Sequence, residues 1–350
     1  MNGILGLGAF LPPQIRRNDW WPDTIVEQWR TRKRMAAMPP PQDEDARRVV
    51  EALLEYADDP FSGAVERRVM SPDMTVADME IAAARAALDD AGLEPGDIDL
   101  VINDPITPDD IGTNTACAVH EALGLPDTAL TVSIRAACNG FHQQVALADG
   151  LIAAGRVHRA LLVQSCGLSR VLPYDRPYSP LFGDAATAVV LGPVREGRGL
   201  LAADHRTDGS LGNTLLLGSP EGQWWEHGPV TLHNASPNAS HQMLMNLPGY
   251  ARATIDGVLR RAELPPEHVS FVAMHQAFPW YRRVVQAAVG LEHAQALDTF
   301  TWAGSVSACN VPLVLTTAHQ RGLLSDGDIV VTQGGGSGMT YSSLAIRWGR

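Results

Sequence analysis

The sequence predicts an α/β protein of stacked sheets and helices, built from two related halves. Short apolar segments bounded by Gly, Pro or Asp alternate with longer segments in which apolar residues recur every three or four positions. Some strand segments, such as residues 160–163, are apolar without alternation. That pattern is typical of a sheet covered by helices on both faces. The third observation is an internal repeat.

The repeat relates residues 86–104 to residues 257–275 at a constant offset of 171 positions. The identical pairs are Ala91 with Ala262, Leu93 with Leu264, Pro95 with Pro266 and Val101 with Val272. The same offset carries the Ala-Cys-Asn segment that contains Cys138 onto the Ala-Cys-Asn segment that contains Cys309. Two short matches at one offset indicate a duplication. We therefore expect an N-terminal half over 1–195 and a C-terminal half over 196–350.

The periodicity assigns the individual elements in order. Strands are predicted at 3–10, 97–104, 128–136, 159–166, 185–192, 198–205, 269–275, 328–333 and 340–348. Helices are predicted at 75–91, 113–123, 139–154, 243–262, 279–289 and 306–321. Two segments break the alternation. Residues 12–72 form a variable insertion, and residues 206–242 are predicted to form a long loop that supplies substrate contacts.

Composition excludes several classes of function. A net charge of -12 over 350 residues provides no basic field for a nucleic-acid partner. No apolar run reaches the ~18 residues that span a membrane. The first eight residues lack the charged start and apolar stretch of a signal peptide. Four cysteines without a CxxC pair argue against zinc and against a disulfide framework. We expect a cytoplasmic protein with no metal.

Cys138 is the predicted nucleophile. It lies where a strand runs into a helix, within residues 133–141. A thiol at a helix N-terminus meets free N–H groups and the positive end of the helix dipole, which favour the thiolate. The alternative is a buried structural cysteine. The repeat makes Cys309 the rival nucleophile, whereas Cys117 and Cys166 are expected in the helix and strand core.

Four motifs carry a resemblance to a known family. They are Ala-Ala-Cys-Asn-Gly-Phe at 136–141, Phe-Gly-Asp-Ala-Ala at 182–186, His-Gln-Ala-Phe at 275–278 and Gly-Ser-Gly-Met-Thr-Tyr at 336–341. In order and spacing the chain resembles the β-ketoacyl synthase III branch of the thiolase superfamily. The resemblance implies a thiolase-like five-layered αβαβα fold with two duplicated halves, a homodimer, and no permanently bound cofactor. The substrate would be a coenzyme A or phosphopantetheine thioester.

The resemblance also implies site residues. The cysteine that accepts the acyl group from acyl-CoA or acyl carrier protein corresponds to Cys138, and the histidine of the second half corresponds to His275. The backbone N–H groups of Cys138 and Ser337 would form the oxyanion hole.

One motif departs from the family pattern. The family has Gly-Asn-Thr-Ser-Ala, whereas residues 304–308 read Gly-Ser-Val-Ser-Ala, so Ser305 stands where the asparagine would be. In an ungapped alignment, Asn310 lies too far down the next helix to replace it. Losing one such donor costs ~2.7–4 kcal/mol of transition-state stabilisation. Loading of Cys138 does not need that donor.

The departure favours an acyltransferase of polyketide or specialised metabolism. It would pass the acyl group to a hydroxyl, amine or carbon of a small-molecule or carrier-bound acceptor, with His275 as general base and Ser305 as orienting group. The first alternative is a 3-oxoacyl-carrier-protein synthase III-type Claisen condensation, which forms a carbon–carbon bond. The second is a non-catalytic partner subunit of a ketosynthase.

Substrate-handling residues are also implied. Arg67 and Arg68 match the place where the family contacts the coenzyme A nucleotide, and paired arginines suit phosphate. Candidates for docking an acidic carrier protein at the tunnel mouth lie on the helices that flank the His275 strand: Arg260, Arg261, Arg282 and Arg283. Plain surface charge is the alternative for each. Trp280 stands at a position that is basic in the family.

Overall fold

The computed structural model describes residues 1–34 and 41–350. The strands are β1 (Asn2–Phe10), β2 (Gln14–Arg17), β3 (Glu66–Val69), β4 (Leu100–Pro105), β5 (Leu130–Ser133), β6 (Ala160–Cys166), β7 (Ala185–Pro193), β8 (Gly199–Thr207), β9 (Leu215–Gly218), β10 (Thr231–Asn234), β11 (Val269–Met274), β12 (Gln295–Ala296), β13 (Ile329–Gly336) and β14 (Thr340–Arg347). The helices are α1 (Asp23–Arg34), α2 (Glu44–Leu54), α3 (Val76–Ala91), α4 (Ala116–Leu123), α5 (Gly140–Ala153), α6 (Pro237–Met245), α7 (Leu247–Arg261), α8 (Tyr281–Val289), α9 (Phe300–Ala303) and α10 (Asn310–Gln320).

The two large sheets have the same topology. The first has the order β1-β7-β6-β4-β5 and the second the order β8-β14-β13-β11-β12, read in the matching direction. In both sheets the first two strand pairs in this order are antiparallel and the last two pairs are parallel. This correspondence confirms the duplication that the repeat predicts. We retain a division near residue 195 as a proposal.

The helices and sheets stack in five layers. The central layer consists of α5 and α10, whose side chains, such as Phe141 and Val314, pack against strands of both sheets in one core. On the outer face of the first sheet lie α3 and α4, with Met79 and Val119 buried. On the outer face of the second sheet lie α7 and α8, with Ile255 buried. The five-layered α/β prediction is confirmed.

Helix α3 shows why its residues begin and end a helix where they do. The Thr75 hydroxyl accepts from the Asp78 N–H while the Asp78 carboxylate accepts from the Thr75 N–H, a reciprocal cap of two free donors. The helix stops at Gly92, which adopts φ 63°. The predicted single helix at 243–262 is instead two helices, α6 and α7, because Pro248 has no N–H to continue a preceding helix.

Both irregular segments lie between the first strand and the first long helix of their half. The segment 12–72 contains α1, α2 and a cluster that includes Trp21, Trp29 and Phe61. The segment 206–242, predicted as a loop, contains the antiparallel β9–β10 hairpin and the start of α6. Within the described ranges, no helix is both long and apolar enough to cross a membrane.

Candidate active site

Cys138 lies in a short 3₁₀ turn, Ala137–Asn139, directly before α5. Ala137 adopts φ 49°, a conformation that costs free energy for a residue with a side chain. The surroundings fix the turn: the Asp104 carboxylate accepts from the Ala136 N–H at 3.2 Å. A Cβ on Gly336 would lie 2.8 Å from the Asn139 nitrogen, so glycine is required there. The nucleophile therefore has a defined position.

The second half contains an equivalent turn, but the two turns correspond at an offset one residue smaller than the 171 positions of the sequence repeat. Ser307 adopts φ 54° in the 3₁₀ turn Ser307–Cys309, which precedes α10 as the Cys138 turn precedes α5. Ser307 is therefore the counterpart of Ala137, an offset of 170 at this point. Cys309 matches Asn139, and the predicted pairing of Cys138 with Cys309 is wrong by one residue.

The other three cysteines differ from Cys138 in burial: two are fully buried and one is exposed. Cys309 is buried, its thiol donates to the Ala185 carbonyl at 3.5 Å, and burial raises its pKa well above the usual range. Cys166 is buried at the end of β6, as expected. Cys117 is exposed, so the expectation of a core position for it is wrong.

The protonation of Cys138 differs from the expectation. Burial raises the pKa of the Cys138 thiol, and this effect is larger than any other on the group. The Ser307 hydroxyl donates to Cys138 Sγ at 3.5 Å and acts in the opposite direction. The nearby Asp104 raises the pKa further. The prediction that the helix terminus favours a resting thiolate is therefore not met, and the resting group is the thiol.

A cavity of about 280 Å³ opens in front of Cys138. It brings together the three predicted catalytic side chains, those of Cys138, His275 and Ser305, and it also reaches Ser337. Most of its other walls are apolar: Leu181, Phe182, Leu215, Met243, Leu244, Leu247, Phe278 and Met339. The segment 206–242 contributes to this wall through Thr214, Leu215, Asn234 and Ser240. The cavity suits an aliphatic chain that ends in one polar group.

His275 follows directly after β11 and is held from two sides. Its backbone N–H donates to the Gln333 carbonyl at 2.8 Å, which continues the pairing of β11 with β13. Its ring Nδ1 lies 3.0 Å from Asn310 Nδ2. Burial lowers the pKa of His275 to about 4. The imidazole is therefore neutral near pH 7.

Asn310 is the feature that the sequence misjudged. It is the first residue of α10 and is fully buried. Its side-chain nitrogen also lies 3.2 Å from Ser305 Oγ, and its side-chain oxygen accepts from the Val306 N–H at 3.1 Å. The expectation that Asn310 lies too far from the site is wrong, because the 3₁₀ turn before α10 folds the chain back.

Ser337 lies in the turn between β13 and β14. Gly336, the residue before it, packs against the backbone of the Cys138 turn, which brings the two predicted oxyanion-hole residues side by side. The Ser337 hydroxyl donates to the Leu215 carbonyl and ties this turn to the cavity wall. The sequence did not single out Ser307, and it placed Asn310 too far from the site. The available signal was a polar residue at the start of one 3₁₀ turn and of the helix that follows it, α10.

Comparison with known proteins identifies the family. The model of 3-oxoacyl-[acyl-carrier-protein (ACP)] synthase III matches residues 132–209, and the model of its C-terminal part matches residues 259–348. A relative from Geobacillus kaustophilus (strain HTA426), named β-ketoacyl-[acyl-carrier-protein] synthase III, is 31% identical across 99% of this chain and 99% of its own. The chain belongs to the 3-oxoacyl-[acyl-carrier-protein] synthase III family. The resemblance carried by the four motifs is confirmed.

Solved structures agree with the fold. The crystal structure of 3-oxoacyl-[acyl-carrier-protein] synthase III from Aquifex aeolicus VF5 superposes with a TM-score of 0.81 at 24% identity and covers 99% of this chain and 100% of that one. OleA from Xanthomonas campestris gives a TM-score of 0.79 at 20% identity, with 99% of both chains covered. At these identities the likeness establishes the synthase III fold.

Arg67 is not accessible to a nucleotide. It is buried, and its guanidinium donates to the carbonyls of Pro180 and Arg16 and to Asn18 Oδ1. Burial lowers its pKa to about 10. The prediction that Arg67 contacts coenzyme A is therefore wrong, and the residue instead joins three segments of the N-terminal half. Arg68 is half-buried, with one nitrogen 3.5 Å from the Pro12 carbonyl.

Arg260 and Arg261 lie at the C-terminal end of α7, whereas the cavity residue Leu247 begins that helix. At 1.5 Å per residue the two ends are about 20 Å apart. Arg261 pairs with the buried Asp204 at 3.1 Å. These arginines thus lie far along α7 from the cavity residue Leu247, and their role in docking a carrier protein stays a prediction.

The remaining residues predicted to contact a carrier protein lie at the N-terminal end of α8. Arg282 pairs with Asp298 at 2.6 Å, and Arg283 pairs with Glu55 at 2.6 Å. Each cation thus has a carboxylate partner, and the carrier-docking role of Arg282 and Arg283 stays a prediction. Trp280 is buried and stacks on the cavity residue Phe278, with ring centroids 5.0 Å apart. It supports the cavity wall from behind and does not face a carrier protein.

Proposed function

We propose that this chain catalyses decarboxylative carbon–carbon bond formation between an acyl group carried on Cys138 and a malonyl-type thioester on an acyl carrier protein. This is the condensation that sequence reasoning ranked second. The full-length relative named β-ketoacyl-[acyl-carrier-protein] synthase III supports it over acyl transfer to a hydroxyl or amine. The observation that carries the proposal is the shared cavity, in which His275 and Ser305 lie with the Cys138 thiol.

The first step would load the enzyme. The sulfur of Cys138 attacks the carbonyl of an acyl-coenzyme A or acyl-carrier thioester, and the backbone N–H groups of Cys138 and Ser337 stabilise the oxyanion. The carbon–sulfur bond to the carrier breaks as the bond to Cys138 forms. The thiol proton ends on the departing carrier thiol. The apolar cavity walls support an aliphatic acyl donor.

The second step would form the product. A malonyl thioester loses carbon dioxide, and its electron pair becomes an enolate whose oxygen is stabilised by hydrogen bonds from His275 and Ser305. The enolate carbon attacks the acyl carbonyl on Cys138, the bond to sulfur breaks, and a 3-oxoacyl thioester leaves. The Cys138 sulfur then takes up one proton and returns to the resting thiol.

No metal or prosthetic group is needed for these steps, since the thioesters themselves are substrates. We also propose a homodimer, as the family resemblance implies. Strand β5 stands at the edge of the first sheet, and its Leu130 is 49% exposed.

The test uses purified protein, an acyl-coenzyme A series and malonyl carrier protein, with carbon dioxide release and product mass as readouts. We expect a 3-oxoacyl product and an acyl adduct on Cys138. Cys138→Ser should lose the adduct, whereas Cys309→Ser is the matched control that keeps it. An adduct that is passed only to water, hydroxyl or amine acceptors would contradict condensation. If no adduct forms on Cys138, the non-catalytic partner hypothesis replaces it.

A further inference from the structure

The side chain of Asn310 makes three contacts that together fix its orientation. The Val306 backbone N–H lies 3.1 Å from its oxygen. A backbone N–H can only donate, so the atom facing it must be the accepting oxygen of the amide. The NH₂ group therefore faces Ser305 Oγ at 3.2 Å and His275 Nδ1 at 3.0 Å. The NH₂ group has two hydrogens, so it can donate one to Ser305 Oγ and the other to His275 Nδ1.

This orientation determines where the neutral imidazole holds its hydrogen. Because Asn310 Nδ2 donates, His275 Nδ1 must accept, and the ring hydrogen of the neutral form must then be on Nε2. Ser305 Oγ likewise accepts from Asn310, which leaves its own hydrogen free to donate elsewhere. In residues 1–34 and 41–350 no carboxylate lies within ion-pair distance of the His275 ring to favour the other tautomer.

We infer that Asn310 is a positioning residue that holds His275 as an Nε2–H donor and Ser305 as an O–H donor, and that it thereby selects condensation over base-catalysed acyl transfer. A general base needs a lone pair on the nitrogen that faces the acceptor, and this tautomer has a hydrogen there. An enolate oxygen is stabilised by hydrogen-bond donors, and His275 and Ser305 each supply one. The inference rests on the proposed function.

The substitution that tests it is Asn310→Asp. A carboxylate of the same shape still accepts from the Val306 N–H, but it can only accept from the imidazole as well. The ring hydrogen would move to Nδ1 and leave Nε2 as a base, the arrangement in which a carboxylate orients a catalytic histidine. Thr316→Val is the control, since Thr316 is buried in the same helix and its hydroxyl contacts only the Pro312 carbonyl in the described structure.

Three readouts distinguish positioning from a structural role. Nitrogen-15 NMR of ring-labelled histidine, assigned with a His275→Gln sample, reports the tautomer directly. Acyl loading of Cys138 is measured by intact mass. Condensation and acyl transfer to water or an alcohol are measured with the same acyl-coenzyme A. We expect Asn310→Asp to keep loading, to lower kcat for condensation at least about 100-fold with little change in KM, and to increase transfer.

The inference is overturned if His275 in the unmodified protein carries its hydrogen on Nδ1, or if Asn310→Asp condenses at a rate within threefold of the parent. The spectrum of the unmodified protein decides the matter even where the variant does not fold. A protein that lacks condensation but shows the Nε2–H tautomer, and its reversal in Asn310→Asp, would refute the proposed function and leave the role of Asn310 intact.

Discussion

Replacing Ser305 by alanine tests whether this hydroxyl does the work of the family's asparagine. In the structure, Ser305 Oγ accepts one of the two hydrogens of the Asn310 amide and lines the cavity beside Cys138. Ser305→Ala removes one enolate donor. It also leaves one N–H of the fully buried Asn310 without its acceptor.

Two magnitudes follow from those contacts. Loss of one oxyanion donor costs ~2.7–4 kcal/mol, which lowers kcat for condensation about 100- to 1000-fold. The unsatisfied buried N–H costs about 1–3 kcal/mol of unfolding free energy. The rate of acyl loading onto Cys138 should not change, because that step uses the backbone N–H groups.

The assay compares carbon dioxide release with adduct formation for the parent and the variant at the same carrier concentration. Ser343→Ala is the matched control, since Ser343 is fully buried, makes one hydroxyl contact with Thr254 and lies outside the cavity. Condensation by Ser305→Ala within tenfold of the parent would refute the donor role. Equal losses of loading and condensation would place the residue in the first step instead.

Three further substitutions probe the nucleophile turn. Ser307→Ala removes the hydrogen bond to Cys138 Sγ, so the pH midpoint of Cys138 alkylation should rise; an unchanged midpoint would contradict the 3.5 Å contact. Gly336→Ala places a Cβ 2.8 Å from the Asn139 nitrogen, so the folded variant should load at least about tenfold more slowly by intact mass, since small displacements of reacting atoms are costly. Asp104→Asn removes a carboxyl whose pKa burial raises to about 7. Since the folded state holds that proton while the unfolded state loses it near pH 4, this carboxyl lowers the stability of the parent by at most about 4 kcal/mol as pH rises from about 4 to 7. The variant should lose less stability over that range by this amount, while Glu80, whose pKa burial also raises to about 7, contributes equally to both proteins. Urea unfolding at several pH values measures the difference.

The fold was predictable because its signals are local and repeated. Apolar periodicity located the strands and long helices, and the duplicated segments anticipated two sheets of one topology. The break at Asn246 was missed although Pro248 marks it locally, and the hairpin within 206–242 was missed because its strands pair only with each other and show little periodicity.

The candidate site was predictable only in part. Motif position was enough to place Cys138 and His275, which line one cavity. It was not enough for Arg67, whose guanidinium satisfies interior carbonyls and so cannot reach a nucleotide. The spacing of Asn310 along the chain suggested separation, whereas the turn before it produces contact.

The sequence by itself determined the layered α/β architecture, the duplication and the positions of Cys138 and His275. Each of these depends on apolar periodicity or on a motif of contiguous residues, both of which are visible along the chain. The tertiary structure decided which polar groups meet: Asn310 with His275 and Ser305, and Ser307 with Cys138. The Ser307 contact joins the two halves, the Ser305 contact crosses a tight turn at positive φ, and the His275 contact links residues 35 positions apart. Hydrogen bonds act over about 3 Å of space, and separation along the chain does not report that distance.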